Sequence, residues 1–211
     1  REDRAASYEK AAASFQKALI LDPESDVAVA GYVKAIALAR AGQLDDGTFA
    51  EAEKLIEAAQ RRAGRAPETV LAEAWLRLTR PKAAGNLERA RALAEEILSQ
   101  SEDPSVRAEA NLVMGRSWQA SSGALAVERL TEALTLDPGL RAALYHRALA
   151  HELAGNYPAA LEDLTRRLEM DPGHWASRQA LARLYREAGR LTEAREVYRA
   201  ILKADPGHTR A

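Results

Sequence analysis

Three copies of Asp-Pro-Gly, at Asp137-Pro138-Gly139, Asp171-Pro172-Gly173 and Asp205-Pro206-Gly207, stand at a fixed interval of 34 residues. Proline lacks an amide hydrogen and pushes the residue before it away from helical dihedrals, so each copy should end a helix. Pro23 and Pro104 likewise follow an aspartate at the end of an apolar-periodic stretch. Between these stops fall Gly42, Gly85, Gly155 and Gly189. Glycine tolerates the left-handed conformation that commonly closes a helix. The stretches between are rich in Ala, Leu, Glu and Arg, all good helix formers, and alternating runs of Val, Ile and Thr do not occur. The repeating unit is therefore helix, Gly turn, helix, Asp-Pro turn.

Superposing the units exposes columns. Ala11, Ala52, Ala90, Ala126, Ala160 and Ala194 form a small-residue column in the second helix. Four residues on stand Phe15, Ile56, Ala94, Leu130, Leu164 and Tyr198, and three further Ala18, Ala59, Ile97, Ala133, Arg167 and Ile201. Spacings of four and three put the columns on one helical face. In the first helix Ala35, Gly115, Ala148 and Ala182 supply the facing small position, with Leu78 as the exception. Small residues opposite one another let two helices approach closely, while the larger ones fill the space beside them.

With this period and these columns the chain resembles the tetratricopeptide repeat, a helix-turn-helix unit that stacks into arrays. The closest matches are residues 141–174 and 175–208. Residues 108–140 fit with one residue missing near Ser121-Ser122-Gly123, and 28–70 fit with "LDDGT" inserted before Phe49. Residues 71–107 begin as a repeat whose first helix is cut short by Pro81. Residues 5–27 read as a half repeat, and 209–211 as the start of a further helix. The resemblance implies a single all-α, right-handed superhelical solenoid. Its concave face would be lined by first helices, where members of the family bind peptides or protein segments. Within 141–174, Arg147, His151 and Arg167 depart from the usual residues. The expectation is that their stems pack while their polar ends reach the edge of the array, the alternative being a polar network within residues 141–174.

First-helix residues sharing that concave face can be read from spacing. One column is Tyr32, Trp75, Leu112, Tyr145 and Gln179. The next is Ile36, Thr79, Arg116, Leu149 and Arg183, followed by Ala39, Gln119, Glu152 and Arg186. Aromatics make up only 5% of the chain, yet they dominate the first column. Tyr and Trp on an accessible groove combine contact area with a polar tip. The expected groove carries an apolar stripe that turns basic toward the C-terminal repeats, suited to a segment with apolar anchors and an acidic end. Family members that capture an Asp C-terminus use a clamp of Lys, Asn and Arg on these columns. Tyr32, Trp75, Leu112 and Tyr145 stand there instead, so a chaperone-tail adaptor is not expected.

Signatures of catalysis are missing. The sequence has no cysteine, no glycine-rich phosphate loop and no nucleophile elbow. "HELAG" at 151–155 lacks the second histidine of a zinc-protease helix, and His146 and His151 are spaced by five, off a shared face. "LDDGT" lacks the alternating oxygen ligands of a calcium loop. No enzyme activity, cofactor or metal is expected. With Lys+Arg 30 against Asp+Glu 31, the net charge of −1 gives no footprint for a nucleic-acid backbone, and no apolar run is long enough to enter a bilayer. The leading expectation is a protein-interaction scaffold. The alternative is a self-assembling or structural module of a larger secretion or assembly complex, with open array ends pairing between copies. The Arg- and Ala-rich style suggests a bacterial source, and the start at Arg1 reads as a segment of a longer product. Both cytoplasm and periplasm fit.

Overall fold

The structure, a computed structural model, describes residues 2–39 and 44–204, with side chains over 6–39 and 44–202. Gly42, Asp205-Pro206-Gly207 and residues 209–211 therefore lie outside the described residues. Among the described residues every regular element is a helix. In chain order these are α1 (Glu2–Leu21), α2 (Asp26–Ala39), α3 (Asp46–Ala63), α4 (Pro67–Leu78), α5 (Asn86–Gln100) and α6 (Pro104–Trp118). They continue as α7 (Gly123–Leu136), α8 (Arg141–Leu153), α9 (Tyr157–Met170), α10 (Trp175–Glu187) and α11 (Leu191–Ala204). Successive helices pack on one another along the chain, giving an all-α repeat solenoid.

The punctuation works through aspartate as much as through proline. Asp137 accepts the Gly139 amide at 2.9 Å and Asp171 the Gly173 amide at 3.2 Å, each through Oδ1, tying the turn before the next helix. Asp103 caps α6 by accepting the amides of Ser105 and Val106. Gly85, Gly155 and Gly189 adopt φ of 77°, 76° and 72°, a conformation costly for any residue with a Cβ. The "LDDGT" stretch is the cap and first turn of α3: Asp45 accepts the Thr48 amide at 2.9 Å.

The second-helix columns form the interior. Ala52, Ala90, Ala126, Ala160 and Ala194 are all buried, as are Ile56, Leu130 and Leu164 one turn on. Where Gly115 faces α7, a Cβ would stand 2.5 Å from Leu130 Cγ, so the absent methyl sets the closeness of that pair. The core is divided into three successive clusters. One is centred on Ile56 and Leu76, one on Leu93, Leu130 and Leu144, and one on Leu164 and Leu184. Such segmentation is what an array of neighbour-only contacts produces.

Two of the three polar departures in residues 141–174, Arg147 and Arg167, pair inside the repeat as the alternative reading had it, while His151 stays partly exposed. Arg147 donates through Nε and Nη2 to Asp163 at 2.8 and 2.6 Å, and Asp163 is buried. Arg167 is fully buried and pairs with Asp171 at 3.1 Å. The physical reason is local pairing: a carboxylate from α9 or the turn after it offsets the cost of removing each guanidinium from water.

Candidate functional site

The first helices α2, α4, α6 and α8 pack on each other in series, whereas no comparable packing links α3, α5, α7 and α9. The array therefore curves with the first helices inside. One ion pair spans a whole repeat: Lys34 Nζ of α2 reaches Glu109 of α6 at 2.6 Å, bypassing α4. Helix α1 packs on α2, with Phe15 filling the place where Gly31 lacks a side chain; a Cβ there would lie 2.4 Å from the ring. A cavity of about 560 Å³ results, walled by Tyr8 and Phe15 on α1, Leu38 on α2, Leu71 on α4, Val106 on α6 and Leu140 before α8. Lys34 and Glu109 also line it.

The residues singled out by spacing divide into three groups. Ile36, Trp75 and Leu112 are covered, at 7%, 4% and 2% exposure. Tyr32 is partly buried against the core cluster that holds Ile36 and Ile56. Tyr145, Leu149 and Arg116 are partly buried, and Gln179 and Arg186 are exposed. Glu152 and Arg183 meet at 2.6 Å, which neutralises part of the expected basic end. Two of the candidates stack directly: the Arg116 guanidinium lies 4.9 Å from the centroid of the Trp75 ring. Beside them Tyr145 packs edge-on against His146 and His174, with centroids 5.3 and 5.2 Å apart.

Most of the cavity wall lies outside the columns read from the sequence. Leu71 sits one turn before Trp75, and Val106 and Glu109 sit one to two turns before Leu112. The signal that could have found this wall is Gly31. It aligns with Leu144 of the later repeat, and a glycine among large residues marks the close approach of something bulky, here Phe15.

The electrostatics of the inner face centre on Arg116. Burial pulls its guanidinium down to about 10, leaving it charged at neutral pH, and the Tyr8 phenol opposes the shift. Arg116 has no acidic partner among the described residues. By contrast Arg65, Arg77, Arg147 and Arg183 each hold a carboxylate. His146 is pushed well below the ordinary histidine range by burial first, with Arg116 and His174 adding to it. Gln119 Nε2 donates to the His146 carbonyl at 2.9 Å, which leaves Gln119 Oε1 to accept from His146 Nδ1 at 3.0 Å. The ring is held neutral with its proton on Nδ1.

A pH dependence follows. His146 titrates lower in the folded chain than unfolded, so below about pH 6.5 the unfolded chain binds a proton that the native state refuses. Stability is thus complete above that pH and falls as the solution is acidified. The loss should grow as the pH is lowered from about 7 to about 5.5. Urea unfolding followed by circular dichroism at the two pH values should show it. His146→Gln should flatten the slope, with His151, which burial also lowers, among the groups that still contribute.

No group of three or more His, Asp or Glu side chains among the described residues is placed to hold a metal ion. Among the described residues no helix is long and apolar enough to cross a membrane.

Residues 116–169 and 151–211 each match a family model described as tetratricopeptide repeat. No curated protein matches the chain in sequence. Among solved structures, the crystal structure of MamA is similar at a TM-score of 0.60 and 21% identity, over 74% of this chain and 88% of that one. The MamA RS-1 ArsTM double mutant gives a TM-score of 0.62 at 15% identity, over 88% of this chain and 97% of that one. Human IFIT1, solved as a dimer with PPP-AAAA, gives 0.75 at 21% identity, over 94% of this chain and 46% of that one. This chain thus spans less than half the length of IFIT1, and at these identities the likeness is one of fold.

Proposed function

We propose, from the premise that this chain is a tetratricopeptide-repeat protein, that it is a non-enzymatic scaffold binding a peptide or protein segment in the groove of its first helices. The observation that carries the reading is the apolar cavity of about 560 Å³ on the inner side of α2, α4 and α6, walled by α1. Concave sites with apolar walls and a few polar groups at their margins are where ligands gain most from burial. The solenoid presents a surface rather than a closed catalytic cleft.

Protein fits this groove better than RNA, despite the likeness to IFIT1 in complex with PPP-AAAA. A phosphate backbone requires several cations, whereas here Glu68 and Glu109 line the cavity, Lys34 is neutralised by Glu109, and the chain carries a net charge of −1.

The test is a selection of random peptides displayed on phage, run on the wild type, on Val106→Glu in the cavity wall, and on Glu132→Lys at an exposed site on α7. Peptides enriched by the wild type and by Glu132→Lys should be lost on Val106→Glu. Equal enrichment on all three would show that binding lies elsewhere.

A second reading, self-association, is favoured by the exposed Ile20, Leu21 and Val27 around the α1–α2 turn, at 75%, 87% and 73% exposure. Light scattering over a range of concentrations separates it from a monomeric scaffold, and Leu21→Glu should abolish any assembly that uses this patch.

A further inference from the structure

We infer that the segment bound in this groove carries a side-chain carboxylate that docks on Arg116, about 10 Å from an apolar side chain buried in the cavity. The inference rests on the peptide-binding reading above and names the chemistry of the partner.

Three observations converge on it. First, Arg116 has no carboxylate of its own among the described residues, whereas Arg65, Arg77, Arg147 and Arg183 each meet one. A guanidinium withdrawn from bulk water and stacked on an aromatic ring gains little until an anion meets it. Second, the Trp75 indole Nε1 beneath that guanidinium is buried without an acceptor among the described residues. That N–H is closed to solvent, so the guanidinium stacked on the ring is the donor left to meet an incoming anion. Third, the site and the cavity share a face. Glu109 lines the cavity and Arg116 follows it by seven residues on α6, two helical turns or about 10 Å along the same side. Tyr8, another cavity wall, is near enough to influence the ionisation of Arg116.

A ligand spanning both features needs a large apolar residue and an Asp or Glu about seven residues apart if helical, or about three apart if extended. The carboxylate would accept from the planar fork of Arg116, an arrangement a lysine cannot reproduce with the same geometry.

The experiment sequences the phage pools enriched by the wild type and by Arg116→Gln and Arg116→Glu, after circular dichroism confirms the helicity of each variant. The wild-type pool should carry Asp or Glu at one of these spacings from Leu, Ile or Phe. Arg116→Glu should lose that acidic position and gain Lys or Arg there. A synthetic peptide of the winning sequence should bind Arg116→Gln roughly ten- to a hundred-fold more weakly. Should Arg116→Glu fail to fold, Arg116→Gln alone decides, since it introduces no new charge. Wild-type peptides with apolar anchors and no acidic position, or a consensus unchanged on Arg116→Gln, would overturn the inference while leaving the peptide-binding reading intact. Equal enrichment on the wild type and on Val106→Glu would overturn both. An oligoadenylate with a 5′-triphosphate that binds the wild type and is released by Arg116→Gln would also overturn it, transferring the site to nucleic acid.

Discussion

Asp163→Ala is expected to lower the unfolding free energy by about 3 kcal/mol, among the largest effects available to a single substitution in this chain. Asp163 is 3% exposed and receives both Nε and Nη2 of Arg147. Removing it strands a guanidinium whose other bond, to Thr131 Oγ1 at 3.2 Å, offers no charge. The effect falls at the lower end for a broken buried pair because the Arg147 side chain keeps 19% of its surface in water. The buried pair is not thereby a large net source of stability, since desolvation offsets most of its attraction. Replacing both members, as Arg147→Leu with Asp163→Ala, should return the protein to within about 1 kcal/mol of wild type. Urea midpoints of the single and double variants decide it. A double variant no more stable than Asp163→Ala would show that the pair itself holds α8 on α9.

Leu130→Ala is expected to cost about 3 kcal/mol, and its partner across the helix pair should then change sign. Leu130 is fully buried in the central core cluster. In the wild-type background Gly115→Ala places a methyl 2.5 Å from Leu130 Cγ and 3.0 Å from Cδ2, an overlap costing about 1–3 kcal/mol. With Leu130 truncated those atoms are gone, and the nearest remaining contact is the Ala126 carbonyl at 3.2 Å. The same Gly115→Ala change should then stabilise by about 1 kcal/mol, from cavity filling and the better helix propensity of alanine. Denaturant unfolding of the four proteins in this cycle measures the inversion. Additive free energies would mean that α6 and α7 already move apart freely, and that the glycine does not set their spacing.

The repeat frame was legible because it depends on what every unit shares. Ala52, Ala90, Ala126, Ala160 and Ala194 occupy equivalent buried places, and Gly155 and Gly189 follow the ends of α8 and α10 with positive φ, whereas Gly85 instead caps the start of α5. The groove depends on what the units do not share. Phe15 reaches Gly31 only because α1 lies against α2, and Lys34 meets Glu109 across 75 positions of sequence. Spacing places Trp75 and Leu112 on the inner flank of their helices, but whether that flank meets water depends on how tightly α2, α4 and α6 close on one another. Here they close enough to cover both. The pairing of Arg147 was hidden for a similar reason: its carboxylate stands sixteen positions away on the next helix, and no local pattern selects it from the neighbouring acids.

Mechanically, the Lys34–Glu109 pair is a chord drawn across an arc. A stack held only by adjacent contacts bends like a spring, each joint yielding by a little and independently of the rest. A tie that skips one repeat couples two joints, so α2 and α6 cannot separate without stretching an ion pair that holds both Glu109 oxygens, at 2.7 and 2.6 Å. The curvature of this segment, and with it the width available to anything lying inside, becomes a property of three helices moving together.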